Sequence, residues 1–201
     1  LDDIATAANN VLERNGFPRH PTEEYKNLVG EGARRLIVKA LPDRFRNEDI
    51  IDKCLQDYLK EYGHTWTLTT RLYDGIDEML NGLVLRKMKL SILSNKTDEF
   101  TQKCVERFLS RWKFDAVVGE SRQIPPKPDS KGILLVSELL TVEKDRIIYL
   151  GDSGVDMKTA KAVGIFAVGA SWGFRPREEL EREGADRVIG YPEELLKLFD
   201  K

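Results

Sequence analysis

Apolar residues in the first third of the chain recur at spacings of three and four, with no alternating stretch between them, and this period predicts helices. Ile4, Ala8, Val11 and Leu12 form one stripe. A second, made of Ile50, Ile51, Cys54, Leu55, Tyr58, Leu59 and Tyr62, runs to Gly63, a residue suited to ending a helix in the left-handed conformation. Between them, 23–28 and 33–41 read as shorter helices on either side of Gly30-Glu31-Gly32. The region reads as a small helical bundle.

From about Tyr73 short apolar runs alternate with helical stretches, the order expected of a parallel sheet covered by helices. Strands are predicted at 89–93, 116–119, 147–150, 166–169 and 187–189. Helices are predicted at about 76–85, 97–112, 130–140, 154–163 and 176–183. Asp74, Thr97 and Pro176 suit helix starts, and Gly164 suits a helix end. The expected fold is α/β: a Rossmann-like parallel sheet core covered by helices over 74–201, preceded by a small all-helical domain over 1–73.

The 201 residues are 41% hydrophobic and 33% charged, as in globular proteins, and no apolar run approaches the ~20 residues that cross a bilayer. A net charge of −2, from 32 basic and 34 acidic residues, provides no overall field for nucleic acid or an anionic membrane. Any anion site must be local. Cys54 and Cys104 lack metal-ligand spacing and read as reduced core residues, which suits a cytoplasmic setting.

In open parallel α/β sheets, ligands bind beyond the carboxyl ends of the strands, and three such places carry chemistry. After the strand at 147–150, Gly151-Asp152-Ser153-Gly154-Val155-Asp156 sets two carboxylates near a helix start. They suit Mg²⁺, a hard cation that keeps waters for a phosphate to replace; alternatively Asp152 caps the helix and Asp156 is a solvated first-turn acid. After the strand at 89–93 come Ser94, Asn95, Lys96 and Thr97. Ser94 either donates to a phosphoryl oxygen or caps the next helix, Asn95 is placed to orient substrate or a neighbouring acid, and Lys96 reads as solvated. In Pro125-Pro126-Lys127-Pro128-Asp129 the prolines restrict the backbone and aim a single ammonium, unless Lys127 is an ordinary solvated lysine. Hydroxyl, lysine and paired carboxylates follow one another on successive crossovers, an order that three unrelated features rarely produce.

That order resembles the haloacid dehalogenase superfamily, whose later motifs are a strand-terminal Ser or Thr, a Lys, and an acidic cluster such as G-D-x-x-x-D. The resemblance implies a Mg²⁺-dependent phosphatase in which an aspartate attacks the phosphoryl group and water hydrolyses the aspartyl-phosphate. Carried over, Ser94 binds phosphoryl oxygens, Lys127 neutralises charge near the nucleophile, Asp152 ligates Mg²⁺, and Asp156 supports the metal shell or Lys127. The helical first third resembles the family's cap domain. Its Leu28-Val29-Gly30-Glu31-Gly32-Ala33-Arg34 stretch is similar to the cap turn of phosphoglycolate phosphatases, which implies that Gly30, Gly32 and Arg34 meet a small phosphorylated metabolite, unless this is an ordinary interhelical turn. Ser171-Trp172-Gly173-Phe174-Arg175 also resembles that subgroup.

Two departures stand beside the resemblance. Ser130 occupies the place of a second proline found in many members. The D-x-D-G-T nucleophile motif occurs nowhere in the chain, although Leu1-Asp2-Asp3-Ile4 looks like the stretch that follows it, so a strand and loop carrying it are expected before Leu1. Pyrophosphate hydrolysis and sugar-phosphate mutation are the rival activities on the same scaffold, and a non-catalytic phosphate-binding module is the rival of another class.

Overall fold

The structure, a computed structural model, describes residues 1–200. They form two compact units, Leu1–Arg71 and the residues from Leu72 onward.

The first unit holds four α-helices: α1 (Asp2–Arg14), α2 (Tyr25–Leu28), α3 (Ala33–Ala40) and α4 (Glu48–Thr65). α1 and α3 both pack against α4, and Val11, Leu12, Tyr25 and Ile37 of this unit are completely buried. α4 starts where the Asn47 side chain accepts the Ile50 amide at 3.0 Å, and it runs through Gly63 to Thr65. The expected stop at Gly63 fails because Tyr62 and Thr65 on either side of it are buried, which outweighs the roughly 1 kcal/mol cost of a mid-helix glycine. At the foot of α1 the buried Asp3 carboxylate accepts the Thr69 and Thr70 amides and both threonine hydroxyls at 2.8–3.1 Å. The chain leaving α4 is thereby tied to the start of α1.

The second unit runs α5 (Ile76–Leu85), β1 (Ser91–Thr97), α6 (Asp98–Phe108), β2 (Ala116–Glu120), α7 (Lys131–Leu140), β3 (Ile148–Gly151), α8 (Gly154–Ala162), β4 (Phe166–Ala170), α9 (Arg177–Arg182) and β5 (Arg187–Ile189). This is an α/β architecture of parallel strands covered by helices. β1 pairs with β2, and β3, β4 and β5 pair in that order. Leu93 of β1 packs into two apolar clusters. One is built on Ile133, Met157 and Ala167 together with Tyr149 of β3, and the other on Val118, Val136 and Leu140. α5 starts after Gly75 at φ +83°, one residue beyond the expected Asp74, while Gly164 at φ +76° follows α8 as its spacing predicts.

β1 is longer than expected and irregular. Leu93 pairs with Val118 and Thr97 with Glu120, so three residues of β1, Ser94 to Lys96, oppose the single residue Gly119. A bulge of this kind bends a strand and re-aims its side chains. Gly119 is required there, since a β-carbon would lie 2.4 Å from the Asp98 Cα.

Candidate active site

Where β3 passes into α8, Ser153 is extended at φ −140°, and its hydroxyl accepts the Asp156 amide at 3.4 Å while Asp156 bonds back to the Ser153 amide. This reciprocal capping box starts α8 and fixes Asp156 under the strand tip. Gly151 makes room for it, because a β-carbon there would stand 2.3 Å from the Asp156 Cβ.

Both Asp156 oxygens are fully engaged. Oδ2 accepts the Ser153 amide at 3.1 Å and hydroxyl at 2.6 Å, and Oδ1 accepts the Lys127 ammonium at 2.7 Å and the Tyr149 hydroxyl at 3.3 Å. Burial works to raise the Asp156 pKa, but the Lys127 charge and these donors hold it below the ordinary carboxylate value. The sequence left Asp156 open as a solvated acid; it is a buried counter-ion.

Lys127 is likewise buried, not solvated. Its ammonium donates to Asp156 and to the Leu93 carbonyl at 3.1 Å and lies 5.9 Å from the Tyr149 ring centroid. Burial alone would lower its pKa, but Tyr149 and Asp156 keep it above the usual lysine value. Its backbone is clamped by Asn95, whose Oδ1 accepts the Lys127 amide at 2.6 Å and whose Nδ2 donates to the Lys127 carbonyl at 3.1 Å. Asn95 was expected to orient substrate or an acid; these bonds hold the lysine loop against the β1 bulge.

Ser94 lies in that bulge, between the two residues that grip Lys127. Its Oγ accepts the Lys96 amide at 3.1 Å, which leaves the hydroxyl hydrogen to be donated elsewhere. Lys96 is half-buried, and burial lowers its pKa, contrary to the solvated lysine expected. Cys54 is buried and Cys104 half-buried, and both are free thiols.

Asp152 contrasts with Asp156. Its Oδ2 accepts a long bond from the Phe174 amide, at 3.3 Å, and burial followed by the Asp156 charge raises its pKa. A cation beside it would relieve that cost. Among the described residues no cluster of three or more His, Cys, Asp and Glu side chains is arranged to enclose a metal. One or two carboxylates with room for water and phosphate fit Mg²⁺, which rarely takes an all-protein cage, and do not fit structural zinc.

Gly30, Gly32 and Arg34 belong to the first unit. Gly30 and Gly32 take φ +113° and +87°, conformations that disfavour a β-carbon, so the turn itself requires both glycines. Arg34 is paired with Glu48 and Asp52 of α4. Tyr149 and Ser153 escaped the sequence reading. Ser153-x-x-Asp156 was legible as a capping box, whereas only the folded strand brings Tyr149 to Asp156.

The chain is similar to several known proteins. A phosphoglycolate phosphatase of Aquifex aeolicus is 28% identical over 198 residues, covering 98% of this chain and 89% of that protein. Another from Nitrosospira multiformis is 27% identical over 202 residues, covering 99% and 89%. A solved structure from Lactobacillus delbrueckii subsp. bulgaricus superposes with a TM-score of 0.91 at 25% identity, covering 98% of this chain and 91% of that one. A haloacid dehalogenase-like family hydrolase of Streptococcus pneumoniae does so at 0.87 and 21%, covering 98% and 90%. The family model for haloacid dehalogenase-like hydrolases matches residues 1–170, and the chain belongs to that family.

Proposed function

We propose that this protein is a Mg²⁺-dependent phosphatase of small phosphomonoesters, with 2-phosphoglycolate as its preferred substrate. The observation that carries the reading is the gathering of the Ser94 bulge, Lys127 and Asp156 by direct hydrogen bonds, with Asp152 at the same β3 tip. The substrate rests on the relatives named phosphoglycolate phosphatase, which match almost the whole chain.

In this reading the Ser94 hydroxyl donates to a phosphoryl oxygen and the Lys127 ammonium offsets the charge that spreads over the transferring group. Asn95 fixes the height of Lys127 above the bulge. Asp156 holds the lysine and the start of α8, and Asp152 takes the metal. Bound there, Mg²⁺ would supply Lewis-acid stabilisation of the phosphoryl oxygens. The residues at 1–71 are read as the cap, and Gly30, Gly32 and Arg34 as its substrate-binding residues. None of these side chains is the covalent acceptor that an aspartyl-phosphate route needs. A cytoplasmic setting is part of the proposal and rests on the two free thiols.

The test is a panel of phosphomonoesters and pyrophosphate with Mg²⁺. 2-Phosphoglycolate should give the highest kcat/KM, and Asp152→Asn should abolish turnover. A preference for pyrophosphate or isomerisation of a sugar phosphate would replace the activity, and phosphate binding without turnover would favour a non-catalytic module.

A further inference from the structure

The loop between β4 and α9 approaches the β3 tip more closely than any side chain would allow. A β-carbon at Gly173 would stand 2.2 Å from the Asp152 Cβ, 2.4 Å from its Oδ2 and 2.7 Å from its Cγ. Gly173 is not among the residues at positive φ, so its backbone does not demand glycine. What excludes a side chain is Asp152. The next amide, Phe174, is the one that donates to Asp152 Oδ2.

The loop is held on both sides of this contact. Before it, the Ser171 amide and hydroxyl bond the Ile189 carbonyl at 3.1 and 3.0 Å, and Trp172 packs on the cluster of Leu83, Val168 and Ile189. After it, Arg175 pairs with Glu179, whose Oε1 accepts the Gly154 amide at 3.0 Å, the first of α8. One segment thus touches Asp152 directly and pins the start of the helix that carries Asp156.

We propose that Gly173 is a positioning residue for Asp152: its bare backbone lets the Phe174 amide reach Oδ2 and hold the carboxylate in place. The proposal rests on the reading of Asp152 as the Mg²⁺ ligand. Turning the Asp152 side chain about χ1 cannot clear an added methyl, because the overlap begins at Cβ. The loop and the β3 tip must instead separate by about 1 Å, a displacement of the size that costs a site about a hundredfold. β3 is held by its pairing with β4 from Ile148 to Gly151, so the loop moves and takes the Phe174 amide with it. Lost support of this kind lowers metal affinity about 10- to 100-fold.

The experiment is calorimetric titration of Mg²⁺ into the protein, as wild type, Gly173→Ala and Asp152→Asn, with the Phe174 amide followed by NMR. Wild type should bind, Asp152→Asn should not, and Gly173→Ala should bind 10- to 100-fold more weakly. The Phe174 amide resonance should shift with Mg²⁺ in wild type and not in Gly173→Ala. Wild-type affinity in Gly173→Ala overturns the proposal, while equal binding by wild type and Asp152→Asn overturns the assignment of Asp152 and leaves the two failures distinct. If Gly173→Ala melts too low to titrate, Asp152→Gly is added to remove the overlapped β-carbon. Recovery of the metal-free melting temperature supports the contact as described, and no recovery overturns it.

Discussion

Replacing Lys127 with Met keeps an unbranched side chain one atom shorter and removes its charge. The ammonium and the Asp156 carboxylate are only 12% and 7% exposed and 2.7 Å apart, so solvent does not replace the lost partner. Asp156 would keep three neutral donors, the Ser153 amide, the Ser153 hydroxyl and the Tyr149 hydroxyl, but no counter-charge. Breaking a buried pair from one side costs about 3–5 kcal/mol, because a charge stays buried without compensation. At about 2–4 °C per kcal/mol for a domain of this size, the melting temperature should fall by roughly 6–20 °C. Urea melts at neutral pH followed by circular dichroism read the loss, and Lys127→Met with Asp156→Asn should recover about 2 kcal/mol or more of it. A loss under about 1 kcal/mol, the range of exposed ion pairs, would refute the reasoning and show that water reaches Asp156.

Asp3→Ala should cost the first unit about 2 kcal/mol in chemical denaturation, since hydrogen bonds to the charged group are lost together. Burial raises the Asp3 pKa, but its Thr69 and Thr70 bonds outweigh this and hold it below the ordinary 3.8. Its contribution is therefore complete above pH 3.8 and disappears as pH falls through the lower folded value, so Asp3→Ala and wild type should converge in acid melts. Asn95→Ala removes the acceptor of the half-buried Lys127 amide and should lower kcat more than it raises KM in steady-state assays. Gly119→Ala drives a β-carbon against the Asp98 backbone at 2.4 Å and should destabilise by about 1–3 kcal/mol in thermal melts.

The periodic parts of the fold were legible from the chain. β5 and α5 fall on the predicted residues, and α8 ends within one residue of its prediction before Gly164. Gly63 misled because local propensity weighs less than the burial of Tyr62 and Thr65, which depends on α1 arriving from far away in sequence. β1 was cut short because period-two alternation stops at the bulge, although pairing resumes at Thr97. In the site, motif order singled out Ser94, Lys127, Asp152 and Asp156 and left Asp156 between supporting a metal shell and supporting Lys127, which it bonds directly. The choice depends on which donors reach each oxygen, and Asn95 meets Lys127 from 32 positions away.

The four donors on Asp156 also make its socket selective for charge over shape. Asparagine has the same outline as aspartate, but one end of its amide is a donor. Placed at 156 in an otherwise unchanged protein, the –NH₂ would face either the Lys127 ammonium and Tyr149 hydroxyl or the Ser153 amide and hydroxyl. Tyr149 and Ser153 can rotate their hydroxyls to accept, but neither the ammonium nor the amide can. Flipping the side chain only exchanges one donor–donor collision for the other. The position is closed to its closest isostere, and a neutral residue enters only when Lys127 changes with it.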